Sequence, residues 1–319
     1  MKKIDTVACL GAGVIGASWA ACFAKQGCQV RLYDIKDEFL TDAQRRIRRD
    51  LSFLAEKGYL AQEDVERAME RITYTTDLAS AVTGAGFIQE SGPENYEVKR
   101  TIMEEVDRSA PADAIYASST SGLLITEIAK ASAHPERCVG GHPYNPPLLI
   151  PLVEITKGEQ TGDEAVEAAK TFYIQMGKEP IVLHKETLGF IANRLQIALS
   201  REACDLVHRG VCSIEDVDKA VCFGPGLRWA IMGPNMVNQL AGGAGGFRHA
   251  HDHMSHSAET WLADMATWTH FPEGWSDFAQ KGVNEEMAHR PAEFGRTNEE
   301  IIRVRDNMLL EILHMHKKI

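Results

Sequence analysis

Residues 1–27 read MKKIDTVACLGAGVIGASWAACFAKQG, two lysines followed by a long apolar run and small residues. These letters fit an export signal, a membrane span, or the strand–turn–helix that opens a nucleotide-binding domain. Asp5 is awkward inside a signal's apolar core. Gly11, Gly13 and Gly16 fall in G-x-G-x-x-G spacing, after the short apolar segment Ile4 to Leu10 and before the helix-compatible Ile15 to Lys25. In a dinucleotide site the first glycine permits the turn, the second lets the backbone approach the pyrophosphate, and the third lets helix and strand pack closely. The unpaired N–H groups at the helix start, around Gly13, Val14, Ile15 and Gly16, then hold the phosphate charge.

A glycine pattern alone is a weak signal, but a second follows it. CQVRLYDIK (residues 28–36) is another apolar strand and ends in Asp34, where a ribose-binding acid belongs. A carboxylate there accepts hydrogen bonds from ribose hydroxyls and repels a 2′-phosphate, so the expected cofactor is NAD rather than NADP. Cleavage of the opening stretch as a signal would delete the first strand of this unit, so the expected location is the cytoplasm.

The 319 residues allow two domains. A formal net charge of −11 disfavours a nucleic-acid partner, because phosphates are repelled unless a basic patch intervenes. Beyond the opening stretch no run approaches the roughly 20 apolar residues of a membrane helix. The seven cysteines contain no C-x-x-C pair and are odd in number, which reads as reduced core thiols.

Past Asp34, DAQRRIRRDLSFLAEKG (residues 42–58) puts Ile47, Leu51 and Leu54 on one helical face. Arg45, Arg46, Arg48 and Arg49 occupy the rest, either as a solvated face or as a clamp for a phosphate-bearing substrate such as coenzyme A. Further strand-like runs are GAGFIQE, AIYASS, CVGGHP, LVEIT and PIVLH, with helical patterns at Tyr96 to Arg108 and Asp163 to Met176 between several of them. Such alternation predicts an α/β fold with a doubly wound, largely parallel sheet of Rossmann type. From Leu188 onward the strand signals fade into long helical patterns. The expected domains are residues 1–187, binding NAD, and residues 188–319, an all-α domain for substrate and dimerisation.

Three polar clusters fall where strands should end: SSTSG (residues 118–122), GHPYNP (residues 141–146) and Glu154 in PLVEIT. Ligands of open α/β sheets bind beyond those carboxyl ends. Oxidation of an alcohol by NAD needs a base for the hydroxyl proton, and a histidine held by a carboxylate suits that task. His142 and Glu154 are the candidates.

Together these residues resemble the 3-hydroxyacyl-CoA dehydrogenase family, from the glycine loop to about Pro234. Its S/N-T-S, H-P/F-x-N-P, L-V-E and G-F-x-x-N-R signatures stand here as STS, HPYNP, LVE and GFIANR, in order and at fitting spacing. The resemblance implies that His142 is the catalytic base and Glu154 its orienting carboxylate. It implies that Ser121 hydrogen-bonds the reacting oxygen and that Asn193 polarises the carbonyl. Glu94 and Lys99 match residues contacting cofactor and nicotinamide ribose, and Asn145 matches a residue supporting the loop of His142 and is expected among the cofactor contacts. Many acyl-CoA members carry asparagine where Ser119 stands, a departure at an expected nicotinamide contact. A homodimer through the helical domain is also implied.

The substrate reading turns on GPGLRWAIMGP (residues 224–234), longer than the G-Y-P-M-G-P of acyl-CoA members. It resembles the branch containing lambda-crystallin, L-gulonate 3-dehydrogenase and bacterial L-carnitine dehydrogenases, and TSGLL and LAGGAGGFRH lean toward the carnitine type. Arg228 either offers a bidentate partner for a free carboxylate, which a thioester lacks, or caps a helix or joins a surface ion pair, and Trp229 stands beside it. Trp229, Trp261, Trp268 and Trp275 either enclose a trimethylammonium group or pack in the interior. His249, His253 and His256 share a helical face without an acidic or cysteine co-ligand pattern, and a hydride mechanism needs no metal, so none is expected. The expected function is NAD-dependent oxidation of a small L-3-hydroxy acid, carnitine- or gulonate-like. The alternatives are a short-chain L-3-hydroxyacyl-CoA (3-hydroxybutyryl-CoA) dehydrogenase and a non-catalytic dinucleotide-binding or structural protein.

Overall fold

A central strand buried on both faces needs an unbroken apolar run, and TVACL supplies it. In the computed structural model, which describes residues 4–319, this run is β1 (Thr6–Leu10), with Val7, Ala8, Cys9 and Leu10 buried. The other strands are β2 (Gln29–Tyr33), β3 (Ile72–Thr75), β4 (Phe87–Glu90), β5 (Ile115–Ser118), β6 (Cys138–Pro143), β7 (Leu152–Lys157) and β8 (Glu179–Val182). They form one sheet in the order β3-β2-β1-β4-β5-β6-β7-β8. All neighbours run parallel except β6 and β7, which are antiparallel. The doubly wound reading holds, with β3 as an addition: its ITYT lacks the sustained apolar run by which the other strands were recognised.

Helices cover both faces. They are α1 (Val14–Lys25), α2 (Asp37–Glu56), α3 (Gln62–Glu70), α4 (Leu78–Val82), α5 (Tyr96–Ser109), α6 (Ile125–Ala129) and α7 (Asp163–Gln175). One face is an aromatic layer, where Trp19 and Phe23 of α1 stack at 5.1 Å and Phe87 of β4 meets Phe172 of α7 at 4.3 Å. The opposite face packs Ala8, Ile88 and Tyr116 against Val82, Met103, Val106 and Ile128. On α2 the expected stripe of Ile47, Leu51 and Leu54 is buried. Three of its arginines are answered by acids, Arg45 by Asp42, Arg48 by Glu66 and Arg49 by Asp50. That is the solvated-face arrangement.

The remaining helices are α8 (Ala192–His208), α9 (Ile214–Phe223), α10 (Pro225–Trp229), α11 (Pro234–Ala241), α12 (Gly246–Asp264), α13 (Trp275–His289) and α14 (Asn298–Met315). By its contacts the chain divides into a sheet-bearing unit ending at Asn193 and a helical unit beginning at Arg194. None of the described helices is long and apolar enough to cross a membrane. Five cysteines are buried thiols, but Cys212 is only half-buried and Cys222 exposed, which corrects the expectation of a wholly core role. Cys222 lies on α9, and no residue of that helix is buried.

Candidate active site

Beyond the carboxyl ends of β1, β2 and β4 lies a cavity of about 730 Å³. Gly11, Gly13, Asp34, Ser91 and Arg46 are among its lining residues. The three glycines of the turn are required for different reasons. Gly11 has φ +99°, and a Cβ there would lie 2.7 Å from the Ser91 carbonyl oxygen; a Cβ on Gly16 would lie 1.8 Å from that of Gly11. A Cβ on Gly13 would meet none of the surrounding protein atoms within 4 Å, so packing does not require glycine at that position. Gly13 is also the N-cap of α1, with Val14, Ile15 and Gly16 as the first residues of the helix. The pyrophosphate of a dinucleotide fits that space and those free N–H groups. Asp34 accepts from the N–H of Ala12 at 2.6 Å and of Ile35 at 2.7 Å, which fixes its carboxylate at the cavity wall where ribose hydroxyls are expected.

The antiparallel register of β6 and β7 places His142 directly opposite Glu154. His142 Nδ1 lies 2.8 Å from Glu154 Oε2, and both side chains are almost fully buried. A carboxylate can only accept, so Nδ1 carries the proton, and in the neutral imidazole Nε2 is then the nitrogen with the lone pair. The other carboxylate oxygen, Oε1, accepts from the N–H groups of Ile191 and Ala192, each at 2.9 Å. Two consecutive left-handed residues, Gly189 (φ +72°) and Phe190 (φ +51°), aim those donors. Such a conformation at a phenylalanine costs about 1–3 kcal/mol. The Phe190 ring is buried with its centroid 5.4 Å from that of His142. Burial pushes the Glu154 carboxyl up, but bonds from His142, Ala192 and Ile191 outweigh it and leave the group below its ordinary range.

Asn193 joins this pair to the STS turn. Its Nδ2 donates to the Ser121 carbonyl at 3.0 Å, and its Oδ1 accepts from the Tyr144 hydroxyl at 2.8 Å. Tyr144 lies edge-on to His142, with ring centroids 5.3 Å apart. Ser121, Asn193, His142 and Glu154, separated by up to 72 positions in the chain, thus lie in one continuous set of contacts.

Other expected residues have different surroundings. Glu94 Oε1 accepts from Thr120 Oγ1 at 2.7 Å, Ser121 N at 2.9 Å and Gly122 N at 3.1 Å, so it shapes the turn that presents Ser121. Lys99, expected at the nicotinamide ribose, is 1% exposed and holds Glu90 at 2.8 Å, because a carboxylate buried at the end of β4 needs a counter-ion. Ser119 Oγ accepts from Gln89 Nε2 at 2.8 Å and lies 2.9 Å from Ser91 Oγ. Asn145 is exposed and makes no side-chain hydrogen bond among the described residues. The loop after His142 is braced instead by Ser18, which accepts from Leu148 N at 2.8 Å, and by Lys178, which donates to the Pro147 carbonyl.

Sequence reasoning missed Glu90, Gln89 and Tyr144. A readable signal existed for the first two: polar letters closing the apolar strand FIQE require buried partners. Arg228 and Trp229 lie exposed on α10 in the helical unit. Trp268 donates to Asp205 at 3.1 Å, and Trp275 packs beside Phe278. Among the described residues no group of three His, Cys, Asp or Glu side chains could hold a metal ion.

Residues 6–187 match the sequence model of the 3-hydroxyacyl-CoA dehydrogenase NAD-binding domain, and residues 189–277 match that family's C-terminal domain. The chain belongs to the 3-hydroxyacyl-CoA dehydrogenase family. The family's amino-terminal domain binds NAD, and NAD is the cofactor of this chain. Within the family the chain is 39% identical to the L-carnitine dehydrogenase of Streptomyces coelicolor over 316 residues, 98% of this chain and 95% of that one. It is 36% identical to a 3-hydroxyacyl-CoA dehydrogenase of Gibberella moniliformis, covering 99% of this chain and 96% of that one. Among solved structures it is similar to an NAD+-dependent 5-formyl-3-hydroxy-2-methylpyridine 4-carboxylic acid 5-dehydrogenase, with TM-score 0.80 and 28% identity over 99% of this chain and 98% of that one.

Proposed function

We propose that this member of the family oxidises the 3-hydroxyl of a small free L-3-hydroxy acid of the carnitine type to the 3-keto acid. The observation that carries the reading is the buried His142–Glu154 pair, with Nδ1 at 2.8 Å from Oε2 and the Nε2 lone pair left for a proton. His142 takes the hydroxyl proton as the carbon–hydrogen bond breaks, and Glu154 stabilises the imidazolium so formed. Bound NAD supplies the acceptor for the hydride. Ser121 and Asn193 hold the oxygen as it becomes a carbonyl. The retained base and partner argue against a non-catalytic role.

Two relatives support a free acid over a thioester: one is named for L-carnitine, the other for a pyridine carboxylic acid. Arg228, exposed on α10 with Trp229 beside it, is the proposed partner of the substrate carboxylate. A second reading, 3-hydroxybutyryl-CoA oxidation, draws on the Gibberella relative. The test is NADH formation with L-carnitine, L-gulonate, free 3-hydroxybutyrate and 3-hydroxybutyryl-CoA. Carnitine or gulonate should give the highest kcat/KM, and Arg228→Leu should raise KM for that acid without changing NAD affinity. Preference for the thioester overturns the reading.

The proposed working form is a cytoplasmic homodimer with an NAD-binding domain over residues 1–187 and a helical domain over residues 188–319, and without nucleic-acid or membrane partners. Support for the dimer is the helical unit's surface, where Phe223, Ile231, Leu240 and Leu262 all lie exposed.

A further inference from the structure

The signature H-P/F-x-N-P leaves its middle position open, and Tyr144 occupies it here. No other side chain described above touches both His142 and Asn193. The protons of this contact are determined. The Ser121 carbonyl can only accept, so the amide nitrogen of Asn193 must face it, at 3.0 Å. Oδ1 is then turned toward Tyr144, whose hydroxyl donates to it at 2.8 Å. One Nδ2 proton remains for the substrate oxygen. Burial, reinforced by the Glu154 charge, pushes the Tyr144 hydroxyl up to about 12, so it stays a donor throughout the neutral range.

We propose that Tyr144 is a positioning residue of the reaction, its hydroxyl locking the Asn193 amide in the orientation that offers a proton to the substrate oxygen while its ring sets the plane of His142. The inference rests on the role given to Asn193 above and adds how that role is secured. With the hydroxyl removed, the amide keeps only its bond to Ser121 and loses part of its alignment when the carbonyl develops. The loss falls on kcat, because the interaction matters most as charge gathers on the oxygen.

The test is a double-mutant cycle on the full chain, with the substrate that the assay above selects. Tyr144→Phe keeps the ring against His142 and removes only the hydroxyl. It should lower kcat about tenfold, the scale of one hydrogen bond, with KM for NAD and the acid limb of the pH profile unchanged. In an Asn193→Ala background the same change should alter kcat less than about twofold, because its target is gone. Asn193→Ser serves the same cycle if the alanine variant does not fold. Undiminished kcat in Tyr144→Phe, or equal losses in both backgrounds, overturns the inference and leaves the role of Asn193 standing. Full activity in Asn193→Ala overturns that role and the inference with it.

Discussion

Glu154 makes three hydrogen bonds from full burial, one to the base and two to the backbone that begins α8. Glu154→Gln keeps its shape, but the amide's N–H2 must face either His142 or the two backbone donors. Facing His142, it makes Nδ1 the acceptor and moves the ring proton to Nε2, where the base needs its lone pair. The expected loss in kcat is on the order of 10³–10⁴-fold, as for other acids that hold a catalytic histidine in one tautomer. His142→Gln should lose at least about 10²-fold. Calorimetric NAD binding should survive both, and normal turnover in either would refute the assignment. Glu154 also has a signature in stability. Its carboxyl lies below its ordinary value near 4.5, so its contribution is fully present above that value and is lost as pH falls through the lower folded one. The melting-temperature gap between wild type and Glu154→Gln should therefore shrink as the pH falls below about 4.5. At this scale the sequence named His142 and Glu154 as polar letters in apolar strands, but it put Glu154 at a strand's carboxyl end, whereas it is the third residue of β7 and faces His142 because β7 runs antiparallel to β6. The sequence could not name the bond from Ile191 and Ala192, since that depends on left-handed backbone at Phe190, where nothing in the letter F announces it.

The opening strand, turn and helix are where local sequence said most, and the structure separates what its glycines do. Gly16→Ala forces a Cβ to 1.8 Å from a backbone oxygen that cannot withdraw without moving the turn. That substitution should cost about 2–4 kcal/mol of stability in chemical denaturation. Gly13→Ala has an ordinary φ of −66° and open space ahead of it. It should fold and melt close to wild type while NAD affinity falls about tenfold or more, since the added methyl occupies the pyrophosphate's approach. Titration of both variants with NAD, beside their melting curves, distinguishes a glycine kept for packing from one kept for the ligand. Equal behaviour would remove the argument that Gly13 marks the cofactor site. Elements were legible where an apolar run coincided with a turn signal, as in β1, β2 and β6. Strand β3 escaped because only Ile72 of its four residues is buried, and its pairing to β2 supplies what its own pattern lacks.

For the whole molecule, the two units differ in how they solve burial. The sheet unit has a closed interior of aromatic and aliphatic layers. In the helical unit, α9, α10, α11 and α13 have no buried residue at all, although their sequences carry Phe223, Leu227, Ile231, Met236, Leu240 and Phe278 on or beside them. The sequence announced long helical patterns there, but a helical pattern cannot say whether an apolar side chain closes on its own chain or on another copy. Packing these side chains against a second chain would remove their apolar surface from water, as obligate interfaces do. Sedimentation equilibrium should give twice the 35.3 kDa of one chain at micromolar concentration, with little dependence on salt. Phe223→Lys replaces a side chain 76% exposed in the single chain, so it should leave the folded sheet unit and its NAD affinity intact while raising the dimer dissociation constant at least about tenfold. A wild-type chain that sediments at 35.3 kDa at those concentrations, with undiminished activity, would mean that the helices are stable with their apolar faces in water and that the dimer is no part of the working enzyme.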